Sequence, residues 1–272
     1  MANPSSSLWV GLAVWSIPRL SYLTFGSSPL TDWEEIHRSR PVVYFRKRSP
    51  SVNYCVPLLN KFVPLGNEHA ELTARLKALA ERAGTKVSGV FRFDMSKRTK
   101  AANAALTGLG NTRRIILGDT LLNEFTTDEV ETVIAHELGH HVHRDIPLFL
   151  AFGSVVGLLG LYLASLVLTW EISVFGFVGP ADIAALPLLV IAMGVFSLVL
   201  TPLNNALSRW RERLADRYAL ESTHKPQAFA DAMTRLANQN LAEADPEPWV
   251  VFFFYSHPPI RERVAAAHAF KG

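Results

Sequence analysis

Cysteine is almost absent from this sequence, since Cys55 is the only one among 272 residues. A single thiol excludes an internal disulfide, which is expected of a domain that faces the reducing cytoplasm. We therefore interpret Cys55 as an ordinary small core residue.

Basic residues are missing from a long central stretch, although the chain has 27 lysines and arginines and none of them lies between Arg144 and Arg209. Within this stretch, residues 147–170 and 183–203 carry no charge at all. Each segment reaches the length of about 20 residues that a helix needs to cross a bilayer. Two buried helices of a soluble core are the alternative, but apolar residues cover every face of both segments. The sequence thus predicts a transmembrane helical hairpin and an integral membrane protein in a lipid bilayer.

The distribution of charge predicts the orientation of this hairpin. Its connector, residues 171–182, has only acidic charges, whereas both outer flanks are rich in lysine and arginine. The positive-inside rule places the connector outside and both flanking parts in the cytoplasm, at the inner membrane if the protein is bacterial. The isoelectric point of about 9.1 fits an anionic membrane surface. Nucleic acid is not expected as a partner, because no basic motif with interleaved aromatic residues occurs.

The N-terminal run Leu8–Ile17 is apolar but only ten residues long, which is too short to span a bilayer. No basic region precedes it, so a cleaved signal peptide is not expected. An interfacial anchor or the end of a longer helix fits the run better.

Outside the hairpin, hydrophobic periodicity and turn residues predict a small sheet beside helices. Thr126 and Glu129 form a capping-box pattern that should begin one of these helices. The predicted helices cover residues 68–83, 127–142 and 204–221, and the predicted strands cover residues 87–94, 103–106 and 114–117.

The helix predicted over residues 127–142 carries the sequence HELGH at 136–140. Residues four apart lie on one side of a helix, so His136 and His140 can offer ring nitrogens to one metal ion. Glu137 lies about 100° round from His136, where a base for a metal-activated water should sit. Val133, one turn earlier, suggests that this side faces the interior.

A catalytic zinc site needs three protein ligands and an open position. Nearby candidates for the third ligand are His141, His143 and Asp145, and a carboxylate beyond the hairpin is the other. In the helix over 204–221, Glu212 could ligate and Asp216 could hold a ligating histidine. A solvated acidic face is the alternative. A polar stripe and a separate packing stripe are expected there: Asn205, Ser208, Glu212 and Asp216 in the first, and Leu203, Leu207, Trp210 and Leu214 in the second.

Several motifs together resemble a known protease family. HELGH at 136–140, ERLAD at 212–216 and NALSR at 205–209 are similar to those of the integral-membrane zinc metalloproteases that include the CAAX prenyl endopeptidases and the stress protease HtpX. Further matching segments are LLNKFVPLGN at 58–67, SKRTKAANAALTGLGNTRRIILGDTLL at 96–122 and SHPPIRERV at 256–264. The first of these segments and SKRTKAANAALTGLG resemble the CAAX type more closely.

The resemblance implies one Zn²⁺ per chain on His136, His140 and Glu212, with Glu137 as general base and Asp216 supporting a histidine ligand. It also implies a peptide or protein substrate. Asn103 and Ala104 would lie on an edge strand that pairs with the substrate backbone, and Asn205 is counted with them as substrate-binding. His257, in SHPP, and Arg209 are expected to assist catalysis near the scissile carbonyl.

The fold expected from pattern and resemblance is a mainly α membrane protein with a small β-sheet. Its zincin-like α+β catalytic domain would be interrupted by the transmembrane hairpin. The expected divisions are residues 1–31 as an N-terminal apolar segment and linker, 32–146 and 204–272 as the two parts of the catalytic domain, and 147–203 as the hairpin.

The expected function is a CAAX-prenyl-protease-like endopeptidase. An HtpX-like quality-control protease of misfolded membrane proteins and a non-catalytic zinc-bound membrane scaffold are the alternatives. CAAX-type relatives have several membrane helices before the catalytic region, whereas only Leu8–Ile17 stands there in this chain. The chain is therefore expected to be either a short relative or a fragment.

Overall fold

The computed structural model describes residues 62–94, 103–108, 110–180, 182–239 and 242–271. The expectations for Leu8–Ile17, Cys55 and the division 1–31 lie outside these described residues.

The described chain is mainly helical and carries one small sheet, as the sequence predicts. The strands are β1 (Phe62–Pro64), β2 (Val90–Phe93), β3 (Ala104–Thr107) and β4 (Arg114–Gly118). The helices are α1 (Ala70–Arg82), α2 (Asp119–Glu124), α3 (Thr127–Val142), α4 (Asp145–Phe175), α5 (Leu186–Thr223), α6 (Pro226–Gln239), α7 (Pro248–Phe254) and α8 (Ile260–Ala269). Short 3-10 turns occupy Asn67–His69, Gly110–Thr112 and Ile183–Ala185.

The sheet has the strand order β1-β2-β4-β3, which leaves β1 and β3 at its edges. β2 pairs in parallel with β4, whereas the two edge strands pair antiparallel with their neighbours. Ile115 and Leu117 of the central strand β4 are fully buried, and they join a core that includes Leu76 and Leu79 of α1 and Ile134 and Leu138 of α3. The core thus lies between the sheet and the helices that carry the histidine motif.

Helix α3 begins and ends at the residues that the sequence predicts. The Thr126 side chain accepts a hydrogen bond from the Glu129 amide at 3.3 Å, and the Glu129 carboxylate accepts one from the Thr126 amide at 2.6 Å. This reciprocal cap satisfies two amides that have no partner within the helix. The start of α3, and with it the position of His136 along the helix, is therefore fixed locally.

Helices α4 and α5 have the length and apolarity needed to cross a membrane. α4 has 31 residues, and α5 continues without a break through Pro202 into the soluble part. One continuous helix therefore follows the 3-10 turn at Ile183–Ala185. It contains the rest of the span that we predicted over 183–203 and the helix that we predicted over 204–221. Side chains in the predicted spans, such as Leu161 and Val195, are largely exposed, as expected of surfaces that face lipid.

The predicted packing stripe beyond the second span is wrong. Leu203 and Trp210 are 59% and 51% exposed, whereas Asn205, Glu212 and Asp216 of the polar stripe are buried. The polar stripe faces α3 and the C-terminal segments because it has charged and carbonyl partners there, which outweighs the usual preference for apolar contact.

One ion-pair cluster joins α1, α3 and the residue before α6. The carboxylate of Glu131 is buried and lies 2.7 Å from Lys225 Nζ, and it also accepts from Arg75 Nε at 3.1 Å. Burial raises the pKa of Glu131, but the hydrogen bonds from Lys225 and Arg75 lower it by a larger amount. The pKa of Glu131 therefore lies below its ordinary value of 4.5. Ion pairs also link Asp128 to Arg75 and Lys225. The three elements are therefore held together near the start of α3, the helix that carries the histidine motif.

Candidate metal centre and active site

Helices α3 and α5 approach each other closely at Gly139. A Cβ atom added there would lie 2.9 Å from the Ala215 Cα and 3.1 Å from the Ala215 carbonyl oxygen, so only glycine fits. Gly139 stands between the two histidines of HELGH, and Ala215 stands between Glu212 and Asp216. The close approach therefore sets the two motifs face to face.

His136, His140 and Glu212 converge across this contact. Each offers one ligand atom, and these atoms all lie within 4.8 Å of one another. Nε2 of His136 is 3.1 Å from Nε2 of His140. The Glu212 oxygens lie 3.4 Å from His136 Nε2 and 3.5 Å from His140 Nε2. Two imidazole nitrogens and a carboxylate oxygen are thus directed at one small volume.

The donor chemistry of this cluster fits a divalent metal. Oε2 of Glu212 is buried and accepts no hydrogen bond among the described residues, which leaves a carboxylate oxygen without its usual compensation. A two-histidine, one-carboxylate set is one of the established catalytic zinc sites. Burial lowers the pKa of His136, but the neighbouring carboxylates of Asp216 and Glu212 outweigh burial and raise it to about 10. A cation between these groups would relieve the same excess of negative charge.

Each histidine is held on its other ring nitrogen by a buried aspartate. Nδ1 of His136 lies 2.8 Å from Asp216, and Nδ1 of His140 lies 2.6 Å from Asp145. Such contacts fix the tautomer and the direction of the ring, and they make the free nitrogen a better metal ligand. Asp145, which we considered as a third ligand, therefore occupies a supporting position in this structure.

Two arginines hold the aspartates in turn. Arg263 Nε donates to Asp216 at 2.8 Å, and Arg211 Nε donates to Asp145 at 2.6 Å. Arg211 also donates to the His143 carbonyl oxygen at 2.6 Å. Sequence reasoning missed both arginines. Arg263 lies within the matching segment SHPPIRERV, which was its only available signal, whereas Arg211 lies outside the matching segments and only precedes ERLAD.

Glu137 is half-buried on α3, directly after His136. Burial, the largest effect, lowers the pKa of the Arg263 guanidinium. Nearby carboxylates, Glu137 among them, outweigh burial and raise that pKa above its ordinary value. Glu137 therefore lies near Arg263, the residue that holds Asp216.

His257 reaches the cluster from the C-terminal part of the chain. Its Nε2 lies 3.3 Å from Oε1 of Glu212, and its Nδ1 lies 2.9 Å from the Ser256 hydroxyl. The side chain is 48% exposed. His257 therefore stands at the solvent-facing side of the ligand set, and Glu212 contacts three histidines.

Arg209 and Asn205 lie on the same helix face as Glu212 but contact the segment around α7. Arg209 donates from one nitrogen to the carbonyl oxygens of Val251 at 2.9 Å and Tyr255 at 2.6 Å. Asn205 donates to the Phe253 carbonyl oxygen at 2.7 Å. In this structure both side chains tether the segment that leads into His257.

Asn103 and Ala104 lie at the start of edge strand β3, which packs against α3. The Asn103 carbonyl oxygen accepts from the Gly118 amide at 2.8 Å, and Ala104 is buried. The outer edge of β3 has no strand partner among the described residues, so its backbone can take an added strand.

His141 and His143 lie outside the ligand cluster, and His143 stacks edge-on against Tyr218.

Comparison with known proteins gives the same picture. Residues 67–271 match the family described as peptidase family M48. The chain is 37% identical to a Bacillus subtilis protein named uncharacterized metalloprotease YhfN and 34% identical to CAAX prenyl protease 1 of Saccharomyces cerevisiae. In both cases the match covers 78% of this chain and 50% of the relative, so the chain spans about half their length.

Two further matches extend the comparison. A protease HtpX homolog from Acidiphilium cryptum is 33% identical, with 71% of each chain covered. The crystal structure of S. mikatae Ste24p superposes with a TM-score of 0.67 at 30% identity, covering 79% of this chain and 53% of that one.

Proposed function

The chain belongs to peptidase family M48, and we propose that it is a membrane-bound zinc metalloendopeptidase that hydrolyses peptide bonds. The observation that carries this proposal is the convergence of His136, His140 and Glu212 within 4.8 Å, with Glu137 adjacent on α3. A scaffold that only binds metal would need no glutamate beside the ligands.

The metal ligands are His136, His140 and Glu212. Zinc, when bound there, lowers the pKa of a water toward about 7 and polarises the scissile carbonyl group. Asp216 and Asp145 orient the two imidazoles, and Arg263 and Arg211 hold those aspartates in place.

The proton transfers are assigned to Glu137. Its carboxylate accepts a proton from the attacking water and delivers that proton to the leaving amine nitrogen. His257 stands at the exposed side of Glu212, where it can donate a hydrogen bond to the oxygen that gains negative charge. Arg209 acts on this site by positioning, because it holds the backbone that carries His257.

The substrate backbone is proposed to add to the outer edge of β3, which pairs with no other described strand, beside Asn103 and Ala104. An extended peptide in this position gains main-chain hydrogen bonds, so its side chains are read only by neighbouring pockets. Asn205, tied to Phe253, would support the opposite wall of the substrate groove.

The orientation proposed for the protein in the membrane follows from the distribution of its charged residues. The connector between α4 and α5 has only acidic residues, and both outer flanks are basic, so the catalytic part faces the cytoplasm. Peptide or protein substrates would therefore be cut at the cytoplasmic surface of the bilayer.

Two substrate classes remain within this chemistry. Resemblance to CAAX prenyl protease 1 favours prenylated peptide ends, whereas the HtpX homolog is matched over 71% of its own length against 50% for the yeast protease. That more complete match supports misfolded membrane proteins as a second candidate class. A prenylated peptide and an unfolded membrane protein, offered in the same assay, distinguish them.

The test of the proposed function is cleavage of an unfolded model protein by the purified chain, with Glu137→Gln as the matched variant. We expect activity only in the wild type, and about one zinc ion per chain in both. Equal cleavage by both would overturn the role of Glu137. Zinc binding without cleavage by either would support the scaffold instead.

A further inference from the structure

Helix α7 exposes an unusual amount of aromatic surface. It has the sequence PWVVFFF and buries none of its residues. Trp249, Phe252 and Phe254 are 63%, 50% and 71% exposed. A contiguous exposed apolar surface of this kind marks a site of contact with another apolar phase.

The surface of α7 continues the apolar surface of the second span. Leu198, Val199, Pro202 and Leu203 of α5 line one groove together with Phe252 and Phe253. At 1.5 Å per residue, α5 rises about 26 Å from Leu186 to Leu203, close to the thickness of about 30 Å of the hydrocarbon layer. Helix α7 therefore lies at the depth where the second span leaves the bilayer, which is where tryptophan and other aromatic residues collect.

Helix α7 is held rigidly in this position. Asn205 and Arg209, both buried on α5, donate to the carbonyl oxygens of Phe253, Val251 and Tyr255. These bonds hold the backbone of α7 against α5 and leave the side chains of Trp249 and Phe254 largely exposed.

The charge near α7 indicates which force would hold this helix at a membrane. The residues that precede α7 include Glu243, Asp245 and Glu247, and Arg261 pairs with Asp245, so that acidic charge is in excess there. Attraction to anionic headgroups cannot hold such a segment at a membrane, so insertion must come from the apolar side chains.

We propose that α7 is an interfacial membrane helix, whose side chains Trp249, Phe252 and Phe254 insert between lipid headgroups and upper acyl chains beside the end of α5. His257 comes three residues after the end of α7 and lies 3.3 Å from Glu212. The helix therefore also sets the height of the candidate active site above the bilayer, a consequence that rests on the proposed function.

The experiment is a measurement of depth by spin labelling. Cys55→Ser removes the only thiol, and Trp249→Cys and Phe254→Cys then each carry one nitroxide in the otherwise complete chain. Ala78→Cys, at an exposed position of α1, is the control. Because both test positions are exposed, the labelled chains should melt at the temperature of the parent chain.

In vesicles of neutral lipid we expect both α7 labels to collide with oxygen far more than with a water-soluble nickel complex. The ratio of the oxygen collision rate to the nickel collision rate should be several-fold higher for the α7 labels than for the Ala78→Cys label. Anionic lipid should not change this ratio. Labels as accessible to nickel as the control would overturn the proposal. Labels shielded from both reagents would place protein on α7, and insertion only with anionic lipid would contradict the apolar driving force. None of these readouts depends on cleavage, so they stay separate from the test of the proposed function.

Discussion

Gly139→Ala is the substitution whose effect on the metal centre can be worked out most directly. The added Cβ would lie 2.9 Å from the Ala215 Cα, and ordinary van der Waals contact begins at about 3.4 Å. Helices α3 and α5 must therefore separate by about 0.5 Å. Both sides of the contact are backbone or Cβ atoms, so a change of rotamer cannot relieve it.

The separation moves Glu212 away from the two histidines. Overpacking of this type costs about 1–3 kcal/mol, against a gain of up to about 1 kcal/mol in helix propensity from alanine. Displacements approaching 1 Å can reduce rates roughly 100-fold. We expect Gly139→Ala to weaken zinc binding and to lower kcat/KM by about 10- to 100-fold, with a small loss of thermal stability.

Zinc affinity by chelator competition and kcat/KM on one peptide measure these effects. Gly194→Ala, on α5, is the control, since a Cβ there meets nothing within 4 Å. If Gly139→Ala keeps the zinc affinity and kcat/KM of the wild type, the close contact does not set the ligand geometry and the reasoning is wrong.

Three further predictions concern buried charges. Asp145→Asn should weaken zinc binding about 10- to 100-fold, because it removes the negative charge and leaves one side-chain oxygen for both His140 Nδ1 and Arg211 Nε; unchanged affinity in chelator competition would contradict this role. Lys225→Met should lower the free energy of unfolding by about 1–2 kcal/mol at neutral pH. The pKa of Glu131 lies below its ordinary 4.5, so this ion pair stabilises the fold above that value and is lost as the pH falls through the lowered pKa. Urea unfolding should therefore show the variant and the wild type converging in acid, and a constant difference would count against the ion pair. Glu171 is fully buried, with neither carboxylate oxygen bonded among the described residues; Glu171→Met should raise the melting temperature, and a lowered one would indicate a cationic partner outside those residues.

Local patterns predicted local structure well. The capping box at Thr126 and Glu129 fixed both the start of α3 and the register of its histidines, because a cap is satisfied within four residues. Strand β1 was not predicted, since three residues that include Pro64 show no periodicity. The strand order β1-β2-β4-β3 also could not be read from the chain, because it depends on pairing between distant segments.

The metal centre required information from far apart in the chain. His136 and Glu212 lie on either side of the hairpin, and only the motifs ERLAD and HELGH linked them before the structure did. The supporting arginines were invisible to periodicity, because Arg211 and Arg263 look like ordinary surface charges in sequence. Their burial follows from partners on other elements, Asp145 and Asp216, which local patterns do not identify.

The central claim is that His136, His140 and Glu212 bind one zinc ion, and X-ray absorption at the zinc edge of the zinc-loaded chain tests it most directly. The account predicts a shell of nitrogen and oxygen with two imidazoles at about 2.0–2.1 Å and no sulfur, and loss of stoichiometric zinc in Glu212→Ala. A sulfur ligand, which only Cys55 or a methionine could supply, would contradict the account, as would one tightly bound zinc ion per chain in Glu212→Ala with an unchanged spectrum.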